Sequence, residues 1–197
     1  MSAAPGRPEQ ARTAARSPQG EGAPVNCTVI RQLLVDDAGS YRALRLRALR
    51  ESARAFTSSH AEESSKPLEW SERRLEPDAQ RPHDVFMGAF ESGDLCAMAG
   101  LQGRYRAKER HNATLVGMYV TPECAGKGIG AALMQGLITR ARSMPELEQI
   151  DLMVTGGIGN AEALYRRCGF VEYGRLERAI RVDGEYLAKV HMVLVLR

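Results

Sequence analysis

The sequence lacks any long apolar run. No stretch approaches the roughly 18 consecutive apolar residues of a membrane-spanning helix, and the N-terminus has no apolar core of the kind that secretory signal peptides carry. Cysteine is also scarce and forms no C-x-x-C pair; the four cysteines are Cys27, Cys96, Cys124 and Cys168. We therefore expect neither a membrane nor a secreted protein, and neither a zinc site nor a disulfide framework. This pattern favours the reducing cytoplasm.

A strong excess of one charge is missing as well. The 197 residues include 27 basic and 24 acidic side chains, a net charge of +3, which is too balanced to predict a nucleic-acid partner. Hydrophobic residues make up 44% and charged residues 26%, the balance of a soluble globular protein. At this length, one domain buries enough surface to fold without disulfides or a metal.

The N-terminal segment has little that could pack into a core. Residues 1–25 hold four of the nine prolines and a single branched aliphatic residue, Val25. Such a segment cannot bury enough apolar surface to offset the entropy of ordering it. We expect a disordered tail over 1–25 and one folded domain over 26–197.

Hydrophobic periodicity predicts the element order β-α-α-β-β-β-α-β-α-β-β after the tail. The predicted strands cover 27–34, 84–90, 95–101, 113–120, 149–154, 176–182 and 186–196. The predicted helices cover 36–51, 66–76, a segment starting near 128, and 160–168. Short turns pair consecutive strands antiparallel, whereas a helix between two strands makes a parallel crossover. We therefore predict an α/β (α+β) domain whose mostly antiparallel sheet has one parallel pair, 113–120 with 149–154.

The most informative segment leads from the strand 113–120 into the next helix and reads AGKGIGA over 125–131. Three alternate glycines before a helix expose backbone N–H groups that point the same way, and the helix dipole adds positive potential. Any Cβ would stand between this backbone and a phosphate oxygen. Lys127 adds a mobile positive charge, so the segment predicts a phosphate or pyrophosphate site.

Several nucleotide and hydrolase classes do not fit the pattern. A Walker A loop needs Ser or Thr after its lysine, but Gly128 follows Lys127. Residues 126–131 formally match the dinucleotide fingerprint G-x-G-x-x-A, with Glu146 or Glu148 near the expected acidic offset, yet only an antiparallel hairpin remains after residue 169. The histidines have no metal-ligand spacing, and no G-x-S-x-G elbow occurs.

A second segment, NAEALYRRCGF over 160–170, has the signals of a short helix. Asn160 is a good N-cap and Gly169 a good C-cap. Tyr165 follows Asn160 by five residues, near the end of the strand 149–154. Taken alone, this tyrosine would be interpreted as a packed aromatic residue.

Together the two segments resemble the GNAT superfamily of acyl-CoA-dependent N-acyltransferases. The first matches the motif V-x-P-x-x-x-G-x-G-[IY]-G over 120–130, and the second matches N-x-x-A-L-Y-x-x-x-G-F over 160–170. The two motifs stand in the family's order, about 30 residues apart. The resemblance implies the GNAT fold, an N-acetyltransferase domain over 26–197, acetyl-CoA as cosubstrate, no metal, and an amine substrate. By the family's habit it also implies a homodimer.

The resemblance also implies a role for each matching residue. Backbone groups of Met118, Tyr119 and Val120 are expected to pair with the pantetheine arm, and the Val120 N–H is expected to stabilise the thioester carbonyl oxygen as the amine attacks. Tyr165 is expected to be the general acid for the leaving thiolate. The expected coenzyme A-binding residues are Met118, Tyr119, Val120, Ala125, Gly126, Lys127, Gly128, Ile129, Gly130, Ala131, Asn160 and Tyr165.

Two positions depart from the family pattern. Ala125 stands where the loop usually has Gln or Arg, so one side-chain contact to phosphate is missing. Thr114 stands where some members have a glutamate base on the central strand. The base therefore stays open: Glu123, Glu109 and His111 are candidates by proximity, and a water molecule is an alternative.

The sequence predicts direct acetyl transfer to an amine, because no cysteine or serine lies in a nucleophile motif, although Cys124 and Cys168 keep a covalent route open. The amine can be a small molecule, an amino acid or a protein amine. An acidic wall would favour a cationic amine; its members would be Glu62, Glu63, Glu69 and Glu72. The alternative functions are a non-catalytic acyl-CoA-binding regulatory module on the same fold and, third, a dinucleotide-binding oxidoreductase.

Overall fold

Seven strands form one mixed sheet in the order β1-β2-β3-β4-β5-β7-β6. The structure is a computed structural model and describes Met1 and residues 28–197; the predicted tail and Cys27 lie outside the described residues apart from Met1. The strands are β1 Val29–Gln32, β2 Val85–Glu91, β3 Asp94–Gly103, β4 Asn112–Val120, β5 Gln149–Thr155, β6 Val171–Val182 and β7 Glu185–Val195. Only β4 and β5 pair in parallel within the described sheet, which confirms the predicted fold class.

Five α-helices accompany the sheet in the described part of the chain. They are α1 Ala38–Glu51, α2 His60–Ser64, α3 Leu68–Leu75, α4 Ile129–Arg142 and α5 Ala161–Arg167. Short 3-10 turns precede α1 at Val35–Asp37 and α4 at Pro122–Cys124. Helix α4 forms where predicted because its apolar residues recur at helical spacing and are buried. These residues are Ile129, Leu133, Met134, Leu137, Ile138 and Ala141.

The helices cover the two faces of the sheet separately. Helices α4 and α5 pack on one face and contribute Leu133, Leu137 and Tyr165 to a large buried cluster. Helices α1 and α3 pack on the opposite face over β2–β4, where Tyr41 and Tyr119 belong to a second cluster. Because side chains alternate along a strand, neighbours in β2–β4 supply both clusters.

The hairpin turns follow the sequence closely. The turn between β2 and β3 is Ser92-Gly93, and the turn between β6 and β7 is Asp183-Gly184; all four residues have positive φ. That geometry matches the type I′ turns that suit a two-residue hairpin. The predicted boundaries differ mainly at β6, which begins at Val171 rather than at 176.

Helix α2 was missed by the sequence analysis, and the predicted helix over 66–76 is shorter than expected. Ser59 caps α2: its hydroxyl accepts from the Glu62 N–H at 3.2 Å, and the Glu62 carboxylate accepts from the Ser59 N–H at 2.7 Å. This S-x-x-E capping box is a sequence signal that could have located the helix. Pro67 is the N-cap of α3 and not a residue of its first turn.

Candidate active site

The site begins where β4 and β5 separate. Their parallel ladder has three residue pairs and ends at Thr114 and Asp151, but β4 continues to Val120 and β5 to Thr155. A bulge in β4, where Gly117 has φ +67°, also interrupts its pairing with β3. In the sheet formed by residues 28–197, the last residues of β4 thus have a backbone edge with no partner strand.

The backbone N–H of Val120 lies on this free edge. Val120 stands opposite Ala97 of β3, and the next N–H, that of Thr121, donates to the Cys96 carbonyl at 2.9 Å. Successive N–H groups of an antiparallel strand alternate in direction, so the Val120 N–H points away from β3. It is available to a molecule bound between β4 and β5.

A cavity of about 780 Å³ fills this gap. Its wall combines the end of β4, the loop before α4, the start of α5, and the connection that follows α1. Every predicted site residue except Lys127 lines it. These residues are Met118, Tyr119, Val120, Ala125, Gly126, Gly128, Ile129, Gly130, Ala131, Asn160 and Tyr165.

The loop before α4 is shaped as an anion cradle. Gly126 and Gly128 have φ of +77° and +79°, and a Cβ built on either glycine meets no atom within 4 Å. The first helical bond of α4 runs from the Ala132 N–H to the Gly128 carbonyl at 3.0 Å, so the N–H groups of 129–131 have no acceptor within the helix. Open space above a row of free donors at a helix N-terminus fits a pyrophosphate.

Lys127 is held away from this cradle. Its Nζ lies 2.9 Å and 3.1 Å from the two carboxylate oxygens of Glu91, at the end of β2. These contacts raise the pKa of Lys127, and hydrogen bonds from Cys124 and then from Lys127 lower the pKa of Glu91. The Lys127 ammonium, which the sequence predicts as a mobile positive charge at the phosphate site, is thus already paired with the Glu91 carboxylate.

Asn160 is the N-cap residue of α5, as predicted, but its side chain makes no capping hydrogen bond. The nearby Gly157 N–H is instead satisfied by the Glu162 carboxylate at 3.0 Å. The Asn160 amide is exposed and lines the cavity, so both its donor and its acceptor are free for a bound molecule.

Tyr165 is buried at the inner end of the cavity, with 6% of its surface exposed. Its ring packs edge-on against Phe170 at 5.9 Å between centroids. Within the described residues its hydroxyl has no hydrogen-bond partner. Burial raises the pKa of Tyr165, so at neutral pH its phenol is a protonated donor facing the cavity.

The candidate bases named from the sequence do not reach the cavity. Glu109 and His111 precede β4, whose eight steps from Asn112 to Val120 span roughly 26 Å. Their predicted proximity is therefore wrong, because an extended strand separates them from the site. Glu123 lies outside the lining and is ion-paired with Arg47 at 2.6 Å.

The other predicted groups have structural partners. Cys124 lines the cavity and donates from its Sγ to Glu91 at 3.0 Å, whereas Cys168 lies outside the lining. Of the predicted acidic wall, Glu62 caps α2 and Glu63 is buried in an ion pair with Arg45 at 2.6 Å. None of the four acidic residues predicted for that wall lines the cavity.

The residues that do form the second wall were missed. They are the end of α1 and the following connection, from Glu51 to Phe56. Glu51 accepts a hydrogen bond from the Tyr119 hydroxyl at 2.5 Å and another from the Arg47 Nε at 2.7 Å. Because the two partners Glu51 and Tyr119 are 68 residues apart, no local sequence signal could have joined them.

A buried lysine holds this connection in place. Lys189 of β7 is 5% exposed, and its Nζ donates to the Ala55 carbonyl at 3.1 Å and to the Thr155 hydroxyl at 2.8 Å. The Thr155 hydroxyl donates to the same carbonyl at 3.2 Å. Burial lowers the pKa of Lys189. The paired ends of β5 and β7, where Thr155 stands opposite Lys189, thereby hold the 52–56 wall.

Known proteins are similar to this chain in sequence and in fold. N-alpha-acetyltransferase RimI of Mycobacterium tuberculosis is 30% identical over 116 residues, 58% of this chain and 70% of its own. A GNAT-family acetyltransferase structure from Streptococcus pneumoniae has a TM-score of 0.78 at 24% identity and covers 85% of this chain and 99% of its own. The structure of yncA from Salmonella typhimurium with its cofactor acetyl-CoA has a TM-score of 0.71 at 20% identity, covering 87% and 95%.

In the described residues, the helices are all too short or too polar to cross a bilayer.

The sequence model of the acetyltransferase (GNAT) family matches residues 46–170, which is well over half of the chain and includes both predicted motifs. The cradle at the start of α4 and the splayed β4–β5 pair lie inside this match. The chain is an acetyltransferase of the GNAT family.

Proposed function

We propose that this enzyme binds acetyl-CoA in the cavity between β4 and β5 and transfers its acetyl group directly to a primary amine. The observation that carries the proposal is the open anion cradle at Gly126 and Gly128, joined by one cavity to the free edge of β4 and to Tyr165. Acetyl-CoA supplies an activated acyl thioester, and the chain supplies binding, orientation and proton transfer.

The cradle would hold the pyrophosphate. The N–H groups of 129–131 are free donors at the positive end of α4, and the two glycines leave room for phosphate oxygens. Ala125 adds no side-chain donor, and Lys127 is engaged by Glu91. Binding here therefore rests on backbone groups.

The edge of β4 and Asn160 would orient the pantetheine arm. Val120 directs its N–H into the gap, where it can stabilise negative charge that develops on a carbonyl oxygen. Asn160 has a side-chain amide without a capping bond and can pair with an amide of the arm. An extended amide chain beside the unpaired end of β4 satisfies the backbone groups that the splay leaves open.

Tyr165 would act as the general acid. In the transfer, the neutral amine nitrogen bonds to the carbonyl carbon and loses one proton to solvent, and the bond from that carbon to sulfur breaks. The protonated Tyr165 phenol can give its proton to the departing sulfur, and solvent restores it. A hydroxyl with no protein partner is suited to this role because no existing hydrogen bond must be broken.

The test is thiol release from acetyl-CoA with a panel of primary amines: amino acids, peptides with free N-termini, polyamines and aminoglycosides. Each amine is paired with its N-acetylated form as a control, and product mass confirms a transferred acetyl group. Calorimetric titration with acetyl-CoA and with NADH separates this function from dinucleotide binding. Binding of acetyl-CoA without acetylation of any amine would indicate the non-catalytic alternative.

A further inference from the structure

The cavity has two sides that belong to opposite faces of the sheet. Tyr165 packs in the cluster under α4 and α5, whereas Tyr119 packs in the cluster under α1 and α3. The pyrophosphate cradle starts α4, so the cofactor side is the α4–α5 side. The opposite side, formed by Tyr119 and the 51–56 wall, is left for the acceptor amine.

Glu51 is the charged group that dominates this acceptor side. Among the cavity-lining residues of the described chain it alone carries a carboxylate. Arg54, on the same wall, is already ion-paired with Glu185 at the start of β7. An acceptor entering from this side therefore meets the Glu51 carboxylate beside an Arg54 guanidinium whose charge is balanced by Glu185.

Glu51 stays ionised because its neighbours donate to it. The Tyr119 hydroxyl and then Arg47 hold the pKa of Glu51 below its ordinary value. Burial and the Glu51 contact raise the pKa of Tyr119 to about 12, so the phenol remains a donor. Arg47 does not cancel the charge of Glu51, because it also pairs with Glu123 at 2.6 Å.

The same geometry limits which amines can react. No histidine or lysine lines the cavity in the described chain, and a carboxylate whose pKa is lowered, like that of Glu51, is a weak base. The acceptor must therefore lose its proton to solvent before it attacks. An α-amino group, with a pKa of about 7.7–8.0, does so far more readily near neutral pH than a lysine side chain at about 10.4.

We propose that Glu51 binds the ammonium form of the acceptor and that the acceptor is the α-amino group of an amino acid or of a peptide N-terminus. This rests on the proposed acetyl transfer. The bound ammonium gives one proton to solvent, and the free amine then forms the C–N bond as the C–S bond breaks. Tyr165 protonates the sulfur, and the second nitrogen proton leaves to solvent.

The experiment compares two peptides of equal composition that each have one amine. The first has a free N-terminus and an acetylated lysine side chain; the second has an acetylated N-terminus and a free lysine. At pH 7.5 we expect kcat/KM at least tenfold higher for the first. Its pH profile should rise with the pKa of the α-amino group. Equal or faster acetylation of the lysine peptide would overturn the proposal.

Glu51→Gln tests the contact, since glutamine keeps the size and can still accept from Tyr119. We expect the KM for the first peptide to rise at least tenfold while acetyl-CoA affinity stays within twofold. Glu69→Gln is the matched control, because it removes an exposed carboxylate of α3 that lies outside the cavity. Its KM should change less than threefold, and equal rises in both variants would refute direct contact by Glu51.

The outcomes separate this proposal from the function on which it rests. If other amines are acetylated but neither amino acids nor free peptide N-termini are, the α-amino assignment is wrong and acetyl transfer stands. If no amine in the panel is acetylated, both fail.

Discussion

Gly128→Val is the substitution that best separates the phosphate cradle from a simple helix cap. Gly128 is the N-cap of α4 and has φ +79°, a conformation that costs an L-residue about 1–2 kcal/mol. A Cβ at this position meets no protein atom within 4 Å, so no steric clash with the chain is added. At roughly 2–4 °C per kcal/mol for a chain of this size, the melting temperature should fall by about 2–8 °C.

The loss of acetyl-CoA affinity should be separate from this loss of stability. The new side chain occupies the open space above the free N–H groups, where the pyrophosphate must approach. We expect acetyl-CoA affinity to fall at least tenfold, which is about 1.4 kcal/mol, by calorimetric titration of the folded variant.

Gly93→Val is the matched control. Gly93 has φ +94° and equally open surroundings, but it lies at the tip of the β2–β3 hairpin and does not line the cavity. It should lose comparable stability and keep its affinity for acetyl-CoA. Parent-like affinity in Gly128→Val, or an equal loss in Gly93→Val, would refute the cradle.

Two further predictions concern buried charged side chains, Lys189 and Glu63. Lys189→Met removes both hydrogen bonds that the Lys189 ammonium donates. Amide hydrogen exchange over 52–56 should therefore accelerate at least tenfold, while exchange in α4 stays unchanged. Unchanged exchange over 52–56 would show that this wall does not need Lys189. Arg45→Met leaves Glu63 buried without its partner and should cost about 3 kcal/mol of unfolding free energy at pH 7, measured with urea. Burial opposes ionisation of Glu63, but Arg45 outweighs burial and lowers the pKa of Glu63 below its ordinary value of 4.5. The ion pair therefore stabilises the fold above pH 4.5. The difference in unfolding free energy between variant and parent should shrink as the pH falls below that value. A cost that is independent of pH would contradict this ion pair.

The sequence predicted what is encoded locally. The glycines of 125–131 and the helix signals of 160–170 are short-range features, because positive φ, capping and helical periodicity each depend on a few adjacent residues. Their elements and eleven of the twelve expected site residues therefore lie at one cavity. The strand pattern likewise predicted the single parallel pair.

The sequence could not predict which distant side chains meet. Lys127 is paired with Glu91, 36 residues earlier, and Lys189 bonds a carbonyl 134 residues away. The separation of β4 from β5 after Thr114 depends on the bulge at Gly117 and on packing from both faces. The sequence therefore predicted an acidic wall from residues after α1 that do not line the cavity, and it did not predict that Glu51 lines it.

The rate of acetyl transfer in Tyr165→Phe tests the central claim most directly. Phenylalanine keeps the ring against Phe170, and the lost hydroxyl has no partner in the described chain, so folding should be unchanged. We expect kcat to fall by about 10²-fold or somewhat less, the low end for general-acid catalysis, while acetyl-CoA affinity stays within threefold. A lower kcat with nearly unchanged acetyl-CoA affinity would indicate that Tyr165 donates a proton and that acetyl-CoA binding rests on backbone groups. Equal kcat in variant and parent, with an amine that the parent acetylates, would contradict the account and leave Tyr165 as a packing residue.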